Sequence, residues 1–238
     1  MSLLLTGAAG TIGRAILPAL AERWDVVATD RPGKGMEVLD VTDLDACRQR
    51  CRGVDAVVHL AGDPSPAATW DSLLPTNVIG THNIAQAAMD EGVHRLVLAS
   101  SAQAVAGYPP GRQIRAEDRV RPPNLYGATK AWAEAIGSWV ASSSSTTVVV
   151  LRIAFFGAEP PSGEAATPRN LAAWLSPGDA ARLVVAAVEA TGIDYFVANG
   201  ISNNRYQHLD LSTTRAVLGY APRHDAWSVQ GAGHDVEE

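Results

Sequence analysis

Tyr126 and Lys130 stand four residues apart in Leu125-Tyr-Gly-Ala-Thr-Lys130, at the start of an apolar stretch that reads as a helix. At that spacing two side chains share one helix face, about 6 Å apart along the axis. A phenol with a pKa near ~10 is a poor base at neutral pH, but a neighbouring ammonium favours its ionised form. Such a pair suits removal of a hydroxyl proton. The second stretch with chemical content is Thr6-Gly7-Ala8-Ala9-Gly10-Thr11-Ile12-Gly13, directly after the apolar run Leu3-Leu4-Leu5. Gly7 permits a sharp turn, Gly10 lets a ligand approach the backbone, and Gly13 lets a helix pack closely on a strand. The free N–H groups at the helix start then face a pyrophosphate. Asp30 closes the next apolar run, where a carboxylate accepts from a ribose diol and repels a 2′-phosphate, so NAD is expected over NADP. Arg31, beside it, reads as an adenine or phosphate contact.

The elements that must position these residues alternate along the chain. Strands are expected at Leu3–Leu5, Asp25–Thr29, Met36–Leu39, Val54–Leu60, Val93–Ser100, Thr147–Ile153 and Asp194–Ala198. Helices are expected over Ala15–Arg23, Trp70–Glu91, Leu125–Ala141 and Pro177–Ala190, with Thr42 or Asp43 capping another. Ser101–Arg121 and Phe155–Trp174 read as irregular, and the tail from Gly231 as frayed. This pattern predicts an α/β fold, a Rossmann-type doubly wound parallel sheet with a small C-terminal substrate-binding portion. One domain spans 1–238, with 154–176 and 199–230 forming a small substrate lobe. Right-handed crossovers gather Gly7–Gly13, Ala61-Gly62, Ser100-Ser101 and the start of the Leu125 helix around one crevice. Asp40 and Val41 fall where an adenine edge would lie. His59 has no evident catalytic partner and reads as structural. Asn77 is mildly unfavourable inside a helix unless its side chain has a task.

Composition narrows the class of partner. The chain of 238 residues carries a net charge of −6 with no basic run, which argues against nucleic acid or an anionic membrane as main partner. Cys47 and Cys51 lie four apart with no His or Cys cluster nearby, so buried free thiols are expected and no metal site. No window reaches the ~18–20 apolar residues of a membrane span, and the N-terminus has no basic region with a long apolar stretch. A reducing cytoplasm is expected, with a small molecule as partner.

Taken together, the motifs resemble the extended short-chain dehydrogenase/reductases, the NAD-dependent epimerase/dehydratase superfamily. They are Thr6-Gly7-x-x-Gly10-x-x-Gly13, Asp30, Asp40-Val41, His59-Leu60-Ala61-Gly62, Asn77-Val-Ile-Gly80-Thr81 and Tyr126-x-x-x-Lys130. Within it the chain looks most like the uronate dehydrogenases, which oxidise the anomeric carbon of a free hexuronate with NAD. That narrower likeness rests on Leu98-Ala-Ser-Ser101, Asn124-Leu-Tyr-Gly127, Arg169-x-x-x-x-Trp174-x-Ser176 and the stretch from Leu209 to Pro222. Only about 85 residues follow the sixth strand, too few for the large region that holds a nucleotide sugar in other members.

The resemblance implies a cofactor groove of Gly7, Ala9, Gly10, Thr11, Ile12, Gly13, Asp30, Arg31, Asp40, Val41, Leu60, Ala61, Gly62, Asn77, Ser100, Tyr126, Lys130 and Ile153. It implies a substrate pocket of Ser65, Ser101, Ala102, Gln103, Tyr126 and Arg169, with Arg169 pairing a carboxylate through its planar fork. Tyr126 as phenolate takes the hydroxyl proton, Lys130 tunes it and holds the ribose, and Ser101 orients the reacting oxygen. The chain departs from the family at Ala102, where Ser or Thr is usual and uronate dehydrogenases have Asn, and at Gln103, where they have His. Ala102 offers no side-chain donor, so Ser101, Gln103 or backbone must polarise the substrate. Two other readings are an epimerase or dehydratase that retains NAD, and a non-catalytic dinucleotide sensor. The apolar faces of the Trp70 and Leu125 helices suit a homodimer, as in many relatives.

Overall fold

The computed structural model describes residues 1–109 and 111–231. Its strands in chain order are β1 (Ser2–Thr6), β2 (Asp25–Asp30), β3 (Glu37–Val38), β4 (Ala56–His59), β5 (Arg95–Ser101), β6 (Thr147–Ile153), β7 (Phe155–Phe156), β8 (Trp174–Leu175) and β9 (Tyr195–Gly200). Seven of them form one sheet in the order β3-β2-β1-β4-β5-β6-β9, every pair parallel. The helices are α1 (Thr11–Ala21), α2 (Leu44–Cys51), α3 (Trp70–Leu73), α4 (Thr81–Asp90), α5 (Leu125–Ser143), α6 (Pro168–Ala172), α7 (Pro177–Glu189), α8 (Ser212–Leu218) and α9 (Ala226–Gly231). The expected doubly wound sheet is present.

The strands are near-continuously apolar because both faces of the sheet are covered. Successive side chains point to opposite faces, so Leu3 and Leu5 of β1 join one core and Leu4 the other. In β6, Val149, Leu151 and Ile153 pack on the side of α1 and α7, while Val148 and Val150 pack on the side of α2, α4 and α5. Cys47 and Cys51 are buried free thiols in the second core, and burial pushes both up to about 12. Asp43 caps α2, accepting from the amides of Asp45 and Ala46 at 3.0 Å each.

Three segments differ from expectation. The region read as one helix, Trp70–Glu91, winds through a π-helical stretch at Leu74–Gly80 between α3 and α4. Pro75 stands near its start and has no N–H to donate, which loosens the regular turn there. The region read as irregular, Phe155–Trp174, contains β7 and α6, and β7 pairs in parallel with β8. Thr167 caps α6 and Pro168 opens it, but five residues are too few to show a helical period. The stretch after β9 also holds α8 and α9, which no periodicity announced; the tail beyond Gly231 lies outside the described residues.

Candidate active site

Two joined cavities run across the carboxyl ends of the central strands. The larger, about 900 Å³, lies over β1, β5 and α5; the smaller, about 680 Å³, lies over the ends of β1 and β2. They share Gly7, Gly10, Leu60, Gly62, Asp63 and Pro64, so one groove passes from one to the other.

The glycine turn forms the waist of that groove. Gly7 has φ +71°, and a Cβ there would lie 2.6 Å from the Ala61 amide nitrogen. A Cβ on Gly13 would lie 2.4 Å from the Gly7 carbonyl oxygen, so only glycine lets α1 sit this close to the turn. Gly10 is different: its Cβ would meet only the Gly7 oxygen at 3.2 Å. No side chain caps α1, so the first-turn amides of Thr11, Ile12 and Gly13 border the cavity without a side-chain partner. That arrangement fits a pyrophosphate. At the far end Asp30 accepts from the Ala9 amide at 2.9 Å through Oδ2 and from the Arg31 amide at 2.8 Å through Oδ1. Asp30, Arg31, Asp40, Val41, Ala61 and Ala9 line the smaller cavity, together with Lys34, which sequence reading missed. The groove therefore fits a dinucleotide in the placement of its amides and of Asp30.

The larger cavity collects the candidate chemistry. Asn124 caps α5, its Oδ1 accepting from the Gly127 amide at 2.7 Å, and so fixes the turn that carries Tyr126. Tyr126 is buried, and the neighbouring Ser101 hydroxyl favours its ionised form. Lys130 Nζ lies 5.7 Å from the Tyr126 ring centre and donates to the Ala99 carbonyl at 3.0 Å. Burial lowers Lys130 to about 8. Burial raises Tyr126, Asp63 adds to the rise, and the Ser101 hydroxyl partly offsets it. Desolvation of the anion thus works against the phenolate in the protein alone, and the expected support from Lys130 and a positively charged nicotinamide belongs to the loaded site. Ser101 also accepts from the Gln103 amide at 3.2 Å, and the Gln103 side-chain oxygen accepts from Asn124 Nδ2 at 3.0 Å. Ala102, Gln103, Ile153 and Arg169 line this cavity, with Phe155, Phe156, Asn170 and His208, which sequence reading missed.

Some expected residues stand elsewhere. Ser65 is exposed and is not among the lining residues; Asp63, Pro64 and Pro66 of its loop are. Its hydroxyl instead accepts from the Ala67 amide at 3.3 Å. Asn77 lies behind the groove. Its Oδ1 accepts from the Asp63 amide at 2.8 Å, and its Nδ2 donates to the Asp63 carbonyl at 3.0 Å and to Thr129 Oγ1 at 3.2 Å. This clamp is the task that justifies Asn in a helix, and it ties the Asp63 loop to α5. Ser100 borders the cavity, but its hydroxyl donates to Glu134 at 2.9 Å. His59 is structural, as expected: buried, held by Thr6 Oγ1 at 2.7 Å, and lowered by burial to about 3.

A buried ion pair braces the wall. Arg152 of β6 donates through Nε and Nη2 to the two oxygens of Glu134 of α5, at 2.8 and 2.9 Å. Its remaining N–H groups reach the carbonyls of Ala116 and Asp118 at 3.1 and 3.0 Å. The long segment 102–121 is thereby fastened over the sheet.

Comparison with known proteins agrees with this geometry. The sequence profile described as "NAD dependent epimerase/dehydratase family" matches residues 3–176. An NAD-dependent glucose-6-phosphate dehydrogenase of Haloferax volcanii is 36% identical, covering 99% of this chain and 98% of its own. An L-arabinose 1-dehydrogenase (NAD(P)(+)) of the same organism is also 36% identical, covering 94% and 97%. The solved structure of a glucuronic acid dehydrogenase from Chromohalobacter salexigens superposes with a TM-score of 0.87 at 29% identity, covering 100% of this chain and 90% of that one. The chain belongs to the NAD-dependent epimerase/dehydratase family, as an extended short-chain dehydrogenase/reductase.

Proposed function

We propose that this chain is a sugar dehydrogenase that oxidises the anomeric hydroxyl of a free aldose carrying an acidic group, with a uronate as first candidate. It is an NAD-dependent dehydrogenase of the extended short-chain type. The finer reading rests on the larger cavity, where Tyr126, Lys130 and Ser101 meet and Arg169 makes no ion pair among the described residues. Asp63 is the only acid among the described residues lining that cavity. A carboxylate-bearing sugar suits such a wall.

Gly10 and the first amides of α1 hold the pyrophosphate, Asp30 the adenosine ribose, and Lys130 the nicotinamide ribose. When bound, NAD supplies the hydride acceptor. Ser101, which lines the cavity with Tyr126, orients the C1 hydroxyl. Tyr126 Oη, as the phenolate, takes the hydroxyl proton while hydride leaves C1, so a hemiacetal becomes a lactone. Because burial raises Tyr126 in the protein alone, positive charge nearby must bring it to the phenolate. Asp30 favours NAD over NADP, although Arg31 and Lys34 line the same end. Segments 154–176 and 199–230 form the substrate lobe. The exposed faces of Trp70, Ile79, Trp132 and Trp139 suit pairing of two copies, and the free thiols suit a reducing cytoplasm.

The test is NADH formation at ~340 nm with glucuronate, galacturonate, glucose 6-phosphate and L-arabinose, and with NADP as a parallel arm. Tyr126→Phe should lower turnover by roughly 10²–10⁴ while NAD still binds. Turnover of neutral aldoses alone would overturn the acidic-substrate reading; near-normal turnover by the Phe variant would overturn the proton path.

A further inference from the structure

His208 sits in the loop between β9 and α8, on the wall of the larger cavity. Its backbone is held from two sides: the amide donates to the Ala172 carbonyl at 3.0 Å, and the carbonyl accepts from the Ile114 amide at 3.0 Å. The first contact joins it to α6, the helix that carries Arg169; the second joins it to the segment 102–121. So its place relative to Arg169 is set by main-chain bonds, and the ring is left over. Among the described residues neither ring nitrogen makes a hydrogen bond, in contrast to His59 and His224, whose rings engage Thr6 and Ser176.

Partial burial, and after it the charge of Arg169 on α6, disfavour the protonated form of that ring. The other lining groups on this side are Asn170 of α6, Ala106 of the 102–121 segment, and Phe155 and Phe156 of β7, all uncharged. Arg169 itself makes only a 3.4 Å contact to the Ala106 carbonyl. Two side chains able to donate to an anion therefore stand on separate, backbone-clamped elements of one cavity wall, where Asp63 is the sole acid among the described lining residues. An anionic group placed between them would offset the repulsion and draw a proton onto the imidazole.

We infer that His208 is a second recognition residue for the substrate's acidic group, acting beside Arg169, so that sugars are selected by charge and held more tightly as the imidazole takes up a proton. This rests on the proposed reading of the substrate as an acidic aldose. A neutral imidazole still donates one hydrogen bond, so binding weakens above the transition without vanishing.

The test is binding of glucuronate, with glucose as its neutral counterpart, to the NADH-loaded protein, which cannot oxidise either sugar, read by NADH fluorescence between pH 5 and 8. Glucuronate stays ionised throughout that range. Wild-type protein should bind glucuronate about tenfold more tightly at the acid end, where glucose shows no slope. In His208→Gln and His208→Phe the slope should flatten, and the glucuronate-to-glucose preference at pH 5 should fall about tenfold. The Phe variant keeps the ring's bulk, so loss in both variants excludes a packing effect. An unchanged slope, or equal losses for both sugars, would overturn the assignment of His208 while leaving the uronate reading intact if Arg169→Met still abolishes the preference. Absence of glucuronate binding in wild-type protein at every pH would overturn the acidic-substrate reading and this inference with it.

Discussion

At the residue scale, Lys130 is the most exposed to test because its charge is costly where it stands. Its folded value, about 8, lies below its ordinary 10.5, so between those values the unfolded chain binds more protons than the folded one. Stability therefore rises with pH across that window, and the penalty of the buried ammonium is fully present below pH ~8. Lys130→Met should raise the melting temperature at pH 7, by roughly 2–4 °C for each kcal/mol relieved, with the gain shrinking between pH 8 and 10.5. The same variant should lose activity. A gain that is flat with pH would show that the ammonium is not the source. Asp30 carries a second prediction at this scale. With Arg31 and Lys34 on the same wall, Asp30→Ala removes the one carboxylate expected to oppose a 2′-phosphate. The NAD-to-NADP ratio of kcat/KM should fall about tenfold or more, and an unchanged ratio would place the discrimination elsewhere.

At the scale of elements, the larger cavity depends on how α5, β6 and the 102–121 segment are fastened. The Glu134–Arg152 pair joins all three, with its side chains only 8% and 3% exposed. Breaking a buried pair from one side leaves an uncompensated charge, at a cost of about 3–5 kcal/mol. Glu134→Gln should lower the urea midpoint accordingly and loosen the loop that presents Gln103 and Ala106 to the cavity. A shift below about 1 kcal/mol would mean that the carbonyls of Ala116 and Asp118 suffice for the guanidinium. The π-helical stretch is a second fastening of this kind. It brings Asn77 under the Asp63 loop, and Asp63 lies at the junction of the two cavities.

At the scale of the whole molecule, the helices on the α4–α5 side leave large apolar side chains on the surface. Trp70 is 49%, Trp132 38% and Trp139 37% exposed, and Trp139 stacks on His82 with ring centres 6.1 Å apart. Exposed large apolar side chains on α3 and α5 suit a partner of the same shape. Trp132→Glu should convert a dimer to a monomer in light scattering at micromolar concentration without changing the near-ultraviolet signature of the remaining core. A wild-type protein that scatters as a monomer at that concentration would overturn the pairing.

What the sequence by itself determined was local and periodic. The glycine turn, Asp30, the Tyr126–Lys130 spacing and the unbroken apolar strands are legible because each follows from backbone sterics, helical geometry or coverage on both faces. They were enough to specify the doubly wound sheet and to bring Gly7, Ser101 and Tyr126 to one end of it. The tertiary structure decided what depends on distant segments meeting. Ser65 turns away from the cavity while Asp63 faces it, since Asn77, fourteen residues on, fixes the loop. His208 joins Arg169 only because its backbone bonds to α6 and to Ile114, contacts with no sequence period. Likewise the Tyr126 phenol is raised by burial, a property of the whole packed fold that a four-residue spacing on one helix does not reveal.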